Sequence, residues 1–367
     1  MMKHLNQILS LVILAILPLA SRAQAFSDRE FTVRSFPVYP QTNIEVNNKY
    51  GKIHVITWKK DSVKFVIDLN LSSSSLSKLH KVKNSIRFDF TSSNYYITAI
   101  TDFGGTGNQI FTELRNLSES LIPGKNNIEV NYTVYCPESV NLTLINKFGD
   151  IYIDDLRGEI NISLSNGDMK INSISGEAQI ELNFGSGIFN HLTDASISGS
   201  YSDINIKQAE KLQVVSKSST LDIDEVDLLK IDSRRDKYFL TQVHTFRGST
   251  NFSQVWLENL GCEADLNLKF GDLTIDRILP DFCRINILSD YADLNLYVQK
   301  GTGYQADIYH PNDALINFPE GVADKLLTTI QKSENEKHSF YKTGQGENLP
   351  LLKIQALEKC YINVIHK

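Results

Sequence analysis

Apolar and polar residues alternate strictly along much of this chain. Ile151-Tyr152-Ile153, Ile160-Asn161-Ile162 and Ile204-Asn205-Ile206 are three short instances, and a period of two marks a strand with one buried face. No helical period runs through the same stretch. The turns between these strands repeat as well. NKFGDIYI, residues 146–153, returns as LKFGDLTI at 268–275 and is anticipated by NKYGKIHV at 48–55. Weaker copies are SNGDMKI ending at Ile171, GSYSDINI at Ile206, SKSSTLDI at Ile223 and SDYADLNL at Leu296. The glycine or small-residue position steps through 149, 167, 185, 202 and 219, at intervals of 18, 18, 17 and 17, and the copies at 271 and 292 are 21 apart.

Strands this short cannot bury an apolar face alone, and a fixed period near 20 residues signals units that bury it by stacking on their neighbours. The expected fold is therefore all-β: a right-handed parallel β-helix, or β-solenoid, with short coils and minor helical excursions. At each turn the glycine is expected to supply a positive φ, and the aspartate after it to accept hydrogen bonds from the backbone just beyond. The aromatic before the glycine (Tyr50, Phe148, Phe184, Tyr201, Phe270, Tyr291) is expected to stack from coil to coil as packing.

Four segments follow from the pattern. Residues 1–25 carry Lys3, an apolar run from Ile8 to Leu19 and the small-residue box Ala23-Gln24-Ala25, the layout of a secretory signal peptide. Residues 26–127 read as an N-terminal β cap or first coils, with a short helix near Leu76 to Asn84 and a glycine-rich, amphipathic excursion that includes Ile110 to Leu121. Residues 128–298 form the repeating spine. Residues 299–367 supply C-terminal coils and a cap, with a short helix expected over Val322 to Gln331. Caps matter because an open sheet end invites aggregation.

Composition adds compartment and removes several chemistries. The apolar run is too short to cross a bilayer, so no membrane insertion is expected. The formal charge of −6 becomes −8 once Lys3 and Arg22 leave with the signal peptide, which disfavours nucleic acid. Cys136, Cys262, Cys283 and Cys360 are widely spaced without a zinc pattern. Cys262 and Cys283 stand one repeat apart in an exported chain, so they can pair as a structural disulfide or serve as two small buried thiols.

The windows NKFGDIYI, SNGDMKI and LKFGDLTI resemble the bacterial putative-adhesin β-helix families of exported proteins, often from Bacteroidetes. That resemblance spans most of the mature chain and implies a fold. It brings no catalytic residues, no cofactor and no assigned activity.

The residues leave two other functions open. A carbohydrate-active enzyme on a β-helix needs converging carboxylates and bases, for which Asp154-Asp155, Glu225 with Asp227, and Asp232 beside Arg234-Arg235-Asp236 are the densest clusters. The stretch Arg234 to Tyr238 reads as an interruption of the repeat. A calcium-stabilised roll would use Asp150, Asp168, Asp203, Asp272 and Asp293, which share one repeat position, but one aspartate per coil suits turn capping better. The histidines show no metal-ligand spacing, and sequons at Asn131 and Asn161 arise easily in such a repeat. The expectation is a non-enzymatic, adhesin-like binding or scaffolding module without catalytic, metal or cofactor residues. It is exported to the periplasm or cell surface, and its partner is an envelope polymer, a glycan or a protein.

Overall fold

A computed structural model describes residues 26–104, 126–322 and 327–367. The expected signal peptide and the amphipathic stretch at 110–121 lie outside them. The described chain is 74% strand with one helix. It divides into two compact units: a small one of residues 26–30, 70–86, 103–104 and 126–128, and a large one of residues 31–69, 87–102 and 129 onward.

In the small unit the helix Leu76–Ser85 buries Leu79. The Lys83 ammonium lies 2.8 Å from Asp28 and 3.1 Å from Glu30. Its hydrogen bond to Asp28, then that to Glu30, raises the Lys83 pKa.

The large unit is built from the repeats. Strands Asp168–Asn183, Ser186–Ser200, Asp203–Lys217, Thr220–Arg234 and Lys237–Ile278 pair in parallel, each with the next. Register carries Ile171 onto Phe189, Ile206, Ile223 and Leu240, all buried to within 2% of full coverage. A parallel column Ile180, Ile197, Val214, Ile231 runs along the next stretch of the same strands. The intervening Lys170, Asn205 and Asp222 face solvent. Each fully buried Ile, Val or Leu stabilises the unit by roughly 1.5–3 kcal/mol, so the alternation alone fixes which face turns inward. A one-residue slip would reverse it.

Two orderings depart from chain order. Strand Asn43–Lys49 pairs on one side with Tyr96–Asp102 and on the other with Asn141–Lys147, while Ile53–Trp58 lies between 132–137 and 151–153. The early copy NKYGKIHV thus sits directly beside NKFGDIYI, 98 residues further on. At the other end, strands Leu351–Ala356 and Tyr361–His366 lie against Arg284–Val298. Their other neighbours are Tyr304–Pro311 and Leu315–Asn317. Antiparallel partners finish both ends: Arg87–Ser92 on Tyr96–Asp102, and Glu336–Thr343 on Tyr304–Pro311.

Three local expectations are corrected. Within the stretch expected as a helix over Val322 to Gln331, Thr328–Gln331 is a strand paired antiparallel with residues 337–340; residues 323–326 lie outside the description. Arg234 to Tyr238 does not interrupt the repeat. Arg234 is in register with Lys217 and Asn251, and Lys237 with Thr220, so Asp236 and Ser253 continue the 17-residue step from Ser219. The third correction concerns the turn. Positive φ falls on the residue before the glycine, namely Tyr50 (62°), Phe148 (57°), Asn166 (58°), Phe184 (56°), Tyr201 (53°) and their equivalents, and at LKFG the glycine shares it, Gly271 standing at 107° after Phe270 at 50°. What the turn glycines have in common is close approach. A Cβ on Gly149 would stand 2.0 Å from the Gly51 carbonyl oxygen, one on Gly167 2.1 Å from that of Gly149, and one on Gly185 1.9 Å from that of Gly167.

Polar side chains close these turns. Buried Asn48 and Asn146, two residues before the aromatic, donate through Nδ2 to the Val130 and Gly51 carbonyls at 2.8 Å each, which is why NKYG and NKFG carry asparagine. Later repeats put serine and aspartate in the small position. Asp236, 2% exposed, accepts from Ser216 Oγ (2.8 Å), Ser219 N (2.8 Å), Ser233 Oγ (2.7 Å) and Arg234 N (2.9 Å).

Candidate functional site

A side chain larger than Asn or Gly in the left-handed region costs about 1–2 kcal/mol, and bulky residues are genuine outliers there. This chain places Tyr50, Phe148, Phe184, Tyr201, Phe252, Phe270 and Tyr291 in that conformation, at φ between 50° and 62°. Phe148, Phe184, Tyr201, Phe252 and Tyr291 are 49–57% exposed, so burial does not account for them. The rings lie face to face along the turn: Tyr50 on Phe148 (centroids 5.6 Å), Phe184 on Tyr201 (5.2 Å), Phe252 on Phe270 (4.5 Å) and Phe270 on Tyr291 (5.5 Å). The ladder expected as packing is thus half in solvent, and it comes in three segments, because Asn166, Ser218 and Arg235 hold the same position in other repeats. Phe252, absent from the expected set, completes the third segment; counting 17 residues on from Arg235 reaches it.

Cations flank the rings. Lys49 Nζ lies 4.6 Å from the Tyr50 centroid, Lys217 Nζ 5.9 Å from Tyr201 and Lys269 Nζ 5.6 Å from Phe270, within cation–π range. A second exposed pair, Phe239 and Trp256, stacks at 4.9 Å with planes 5° apart on the outward side of two neighbouring repeats. Apart from exposed Ile188 and Val215, the outward rows around the next feature are polar. Thr143, Asn161, Ser163, Gln179, Glu181, Ser196 and Ser198 line a shallow depression of about 450 Å³.

The clusters weighed for catalysis do not converge. Asp154 and Asp155 are exposed, and Asp155 accepts from Asn172 Nδ2 at 2.7 Å. Glu225 and Asp227 face solvent on either side of buried Val226. Asp232, Arg234 and Arg235 are exposed while Asp236 turns inward, committed to its four donors. The aspartate row caps turns in a way the sequence did not suggest. Asp150 Oδ1 accepts from the Asp168 backbone N–H at 3.0 Å, Asp168 from Ser186 N and Oγ, and Asp293 from Tyr361 N at 2.8 Å. Each of these backbone donors belongs to the adjoining repeat, while the Tyr152 hydroxyl, two residues on, donates to Asp150 Oδ2 at 3.1 Å. Among the described residues no group of three or more His, Cys, Asp or Glu side chains is placed to hold a metal ion.

Cys262 and Cys283 are bonded to each other, with Cα atoms 4.8 Å apart, and Cys136 and Cys360 are free and buried. Burial raises the Cys136 thiol to about 12 and the Cys360 thiol to about 11, so neither is a nucleophile at neutral pH. One contact resembles a base and its nucleophile: His310 Nε2 lies 3.0 Å from Ser339 Oγ, while His310 Nδ1 faces the Pro311 carbonyl. Ser339 is 1% exposed and also bonds Thr329, which seals it from any substrate. Burial holds the His310 pKa below its ordinary value.

No family model matches the sequence, and no curated protein matches it. Among solved structures, a putative cell adhesion protein from Clostridium sporogenes is 10% identical, covering 92% of this chain and 100% of its own, with a TM-score of 0.19. A putative lipid binding protein from Parabacteroides distasonis is 9% identical over 90% of this chain and 96% of its own, with a TM-score of 0.31.

Proposed function

We propose that this chain is wound as a right-handed parallel β-solenoid and acts, after export, as a non-enzymatic binding or scaffolding module for a polymer of the bacterial envelope. Parallel pairing at steps of 17 to 21 residues supports the winding. The single observation that carries the binding role is the row of half-exposed aromatics held in the left-handed region. Strain of this kind persists where the surrounding structure over-determines it, and it clusters at ligand clamps. Gly or Asn would make the same turn at lower cost, as Asn166 does. The ring faces therefore have a use beyond the turn, and a flat, rigid row of them suits an extended ligand. The resemblance of the repeat windows to adhesin families points the same way.

The test is cosedimentation of the protein with insoluble envelope polymer prepared from its source, comparing wild type with Phe184→Asn/Tyr201→Asn and Phe252→Asn/Phe270→Asn. Asparagine keeps the turn conformation and removes the ring. Wild type should sediment with the polymer and both variants should remain in solution at unchanged Tm. Equal retention of wild type and variants removes the aromatic turn as the binding surface.

A further inference from the structure

The aromatic row breaks at Ser218 and Arg235, and the break is filled with positive charge. Lys217 and Arg234 are register partners on adjacent coils, Arg235 occupies the turn apex at φ 59°, and Lys237 follows on the same coil. All four side chains are exposed. Several cations along the outward rows are neutralised: Arg247 and Arg284 share Glu263, Lys269 meets Asp290 at 2.9 Å, and Lys211 meets Asp194 at 3.5 Å; others, such as Lys170, Lys207 and Lys230, stand singly, whereas the break gathers four. In the break, among the described residues, none of the four lies within ion-pair distance of a carboxylate. Asp236, in the middle of the group, spends its carboxylate on Ser216, Ser219, Ser233 and the Arg234 backbone instead.

Aromatic faces frame this charge. Tyr201 and Phe252 hold the apex one coil before Ser218 and one coil after Arg235, which at about 4.8 Å per coil separates the rings by about 14 Å. Phe239, two residues beyond Lys237 on the same outward row, stacks on Trp256. We propose that this break binds an acidic polysaccharide. The apolar C–H faces of its sugar rings pack on Tyr201, Phe252 and the Phe239–Trp256 pair, while its carboxylates meet Lys217, Arg234, Arg235 and Lys237. The inference rests on the binding role assigned above and adds the ligand class. Single-stranded nucleic acid would also seek cations and stacking faces, and the experiment below separates the two polyanions.

The experiment is affinity electrophoresis of the protein in polygalacturonate, in the same polymer with its carboxyls methyl-esterified, and in single-stranded DNA. Variants are Arg234→Gln/Arg235→Asn, chosen to keep the strand and the left-handed turn, and Tyr201→Asn/Phe252→Asn. Wild type is expected to bind polygalacturonate at least tenfold more tightly than its ester. Raising salt from 50 to 500 mM should abolish that preference, because surface charges separated by more than about 10 Å are screened at 0.1 M. The arginine variant is expected to lose the preference at unchanged Tm. Equal binding of acid and ester, with loss of both in the aromatic variant, overturns the charge selection and leaves the binding role standing. Binding of DNA as tight as that of polygalacturonate overturns the sugar assignment. Wild type binding none of the three overturns the acidic-polysaccharide site, while its cosedimentation with envelope polymer would still decide the binding role.

Discussion

Adding one methyl group at Gly167 tests the packing of the turns most directly. In Gly167→Ala the new Cβ would stand 2.1 Å from the Gly149 carbonyl oxygen and 2.7 Å from its carbon, against 3.4 Å where ordinary contact begins. The obstacle is backbone, which cannot rotate aside, so the two repeats must separate locally by about 1 Å. Two bonds between these repeats, Phe148 N to the Ser165 carbonyl at 2.9 Å and Asp168 N to Asp150 Oδ1 at 3.0 Å, would stretch beyond bonding range. Overpacking contributes about 1–3 kcal/mol, and two weakened hydrogen bonds about 1 kcal/mol each, for an expected loss of about 3–5 kcal/mol. Ser202→Ala is the control, since position 202 already accommodates a Cβ. It removes the Ser202 Oγ bonds to the Leu182 and Ser200 carbonyls, at 3.0 and 2.9 Å, and should cost about 1 kcal/mol. Urea unfolding followed by circular dichroism measures both. If Gly167→Ala costs no more than Ser202→Ala, the close approach is not what the glycines are for.

Three further outcomes are expected. Asp236→Ala removes four hydrogen bonds, three of them buried, so it should lower stability by about 3–5 kcal/mol, whereas an exposed carboxylate such as Asp227→Ala should change it by less than about 0.5 kcal/mol; matching urea midpoints for the two would refute the inward network. Reducing the Cys262–Cys283 bond, which closes a 21-residue separation, should cost about 3 kcal/mol by the loop-entropy relation, seen as a lower Tm in reductant that Cys262→Ala/Cys283→Ala no longer shows. Burial lowers the pKa values of His310 and His366 from 6.5. Folded protein therefore resists protons that the unfolded chain accepts, and stability should be flat above about pH 6.5 and fall as pH drops below it; a His310→Gln variant with an unaltered slope between pH 7 and pH 5 would count against this.

The buried columns, the strand alternation and the step of 17 to 18 residues were legible in the sequence because each rests on local composition. Partner choice was not. Nothing in NKYGKIHV says that it pairs with a copy 98 residues away, since parallel pairing depends on which faces meet rather than on spacing. Arg234 to Tyr238 read as an interruption because a charged Asp236 stands where earlier copies have glycine or serine, yet counting 17 from Ser219 finds it. The glycine's role was misassigned for a related reason. Composition cannot tell a residue chosen for its φ from one chosen for its missing Cβ, and the aromatic neighbour took the strain instead. That exchange is what exposes the rings, so the candidate site grew out of the one turn detail that the sequence pointed in the wrong direction.

The insertion of residues 43–58 between two other repeats, matched by that of residues 351–366, has a mechanical consequence. A solenoid whose outermost coil lay at the end of the chain would unzip under tension one hydrogen bond at a time from a single free edge. Here residues 43–58 and 351–366 are each paired on both sides, so a pull that strips either segment must break two ladders together. Under load such a molecule would behave as a clasp does, staying closed until it gives way at once.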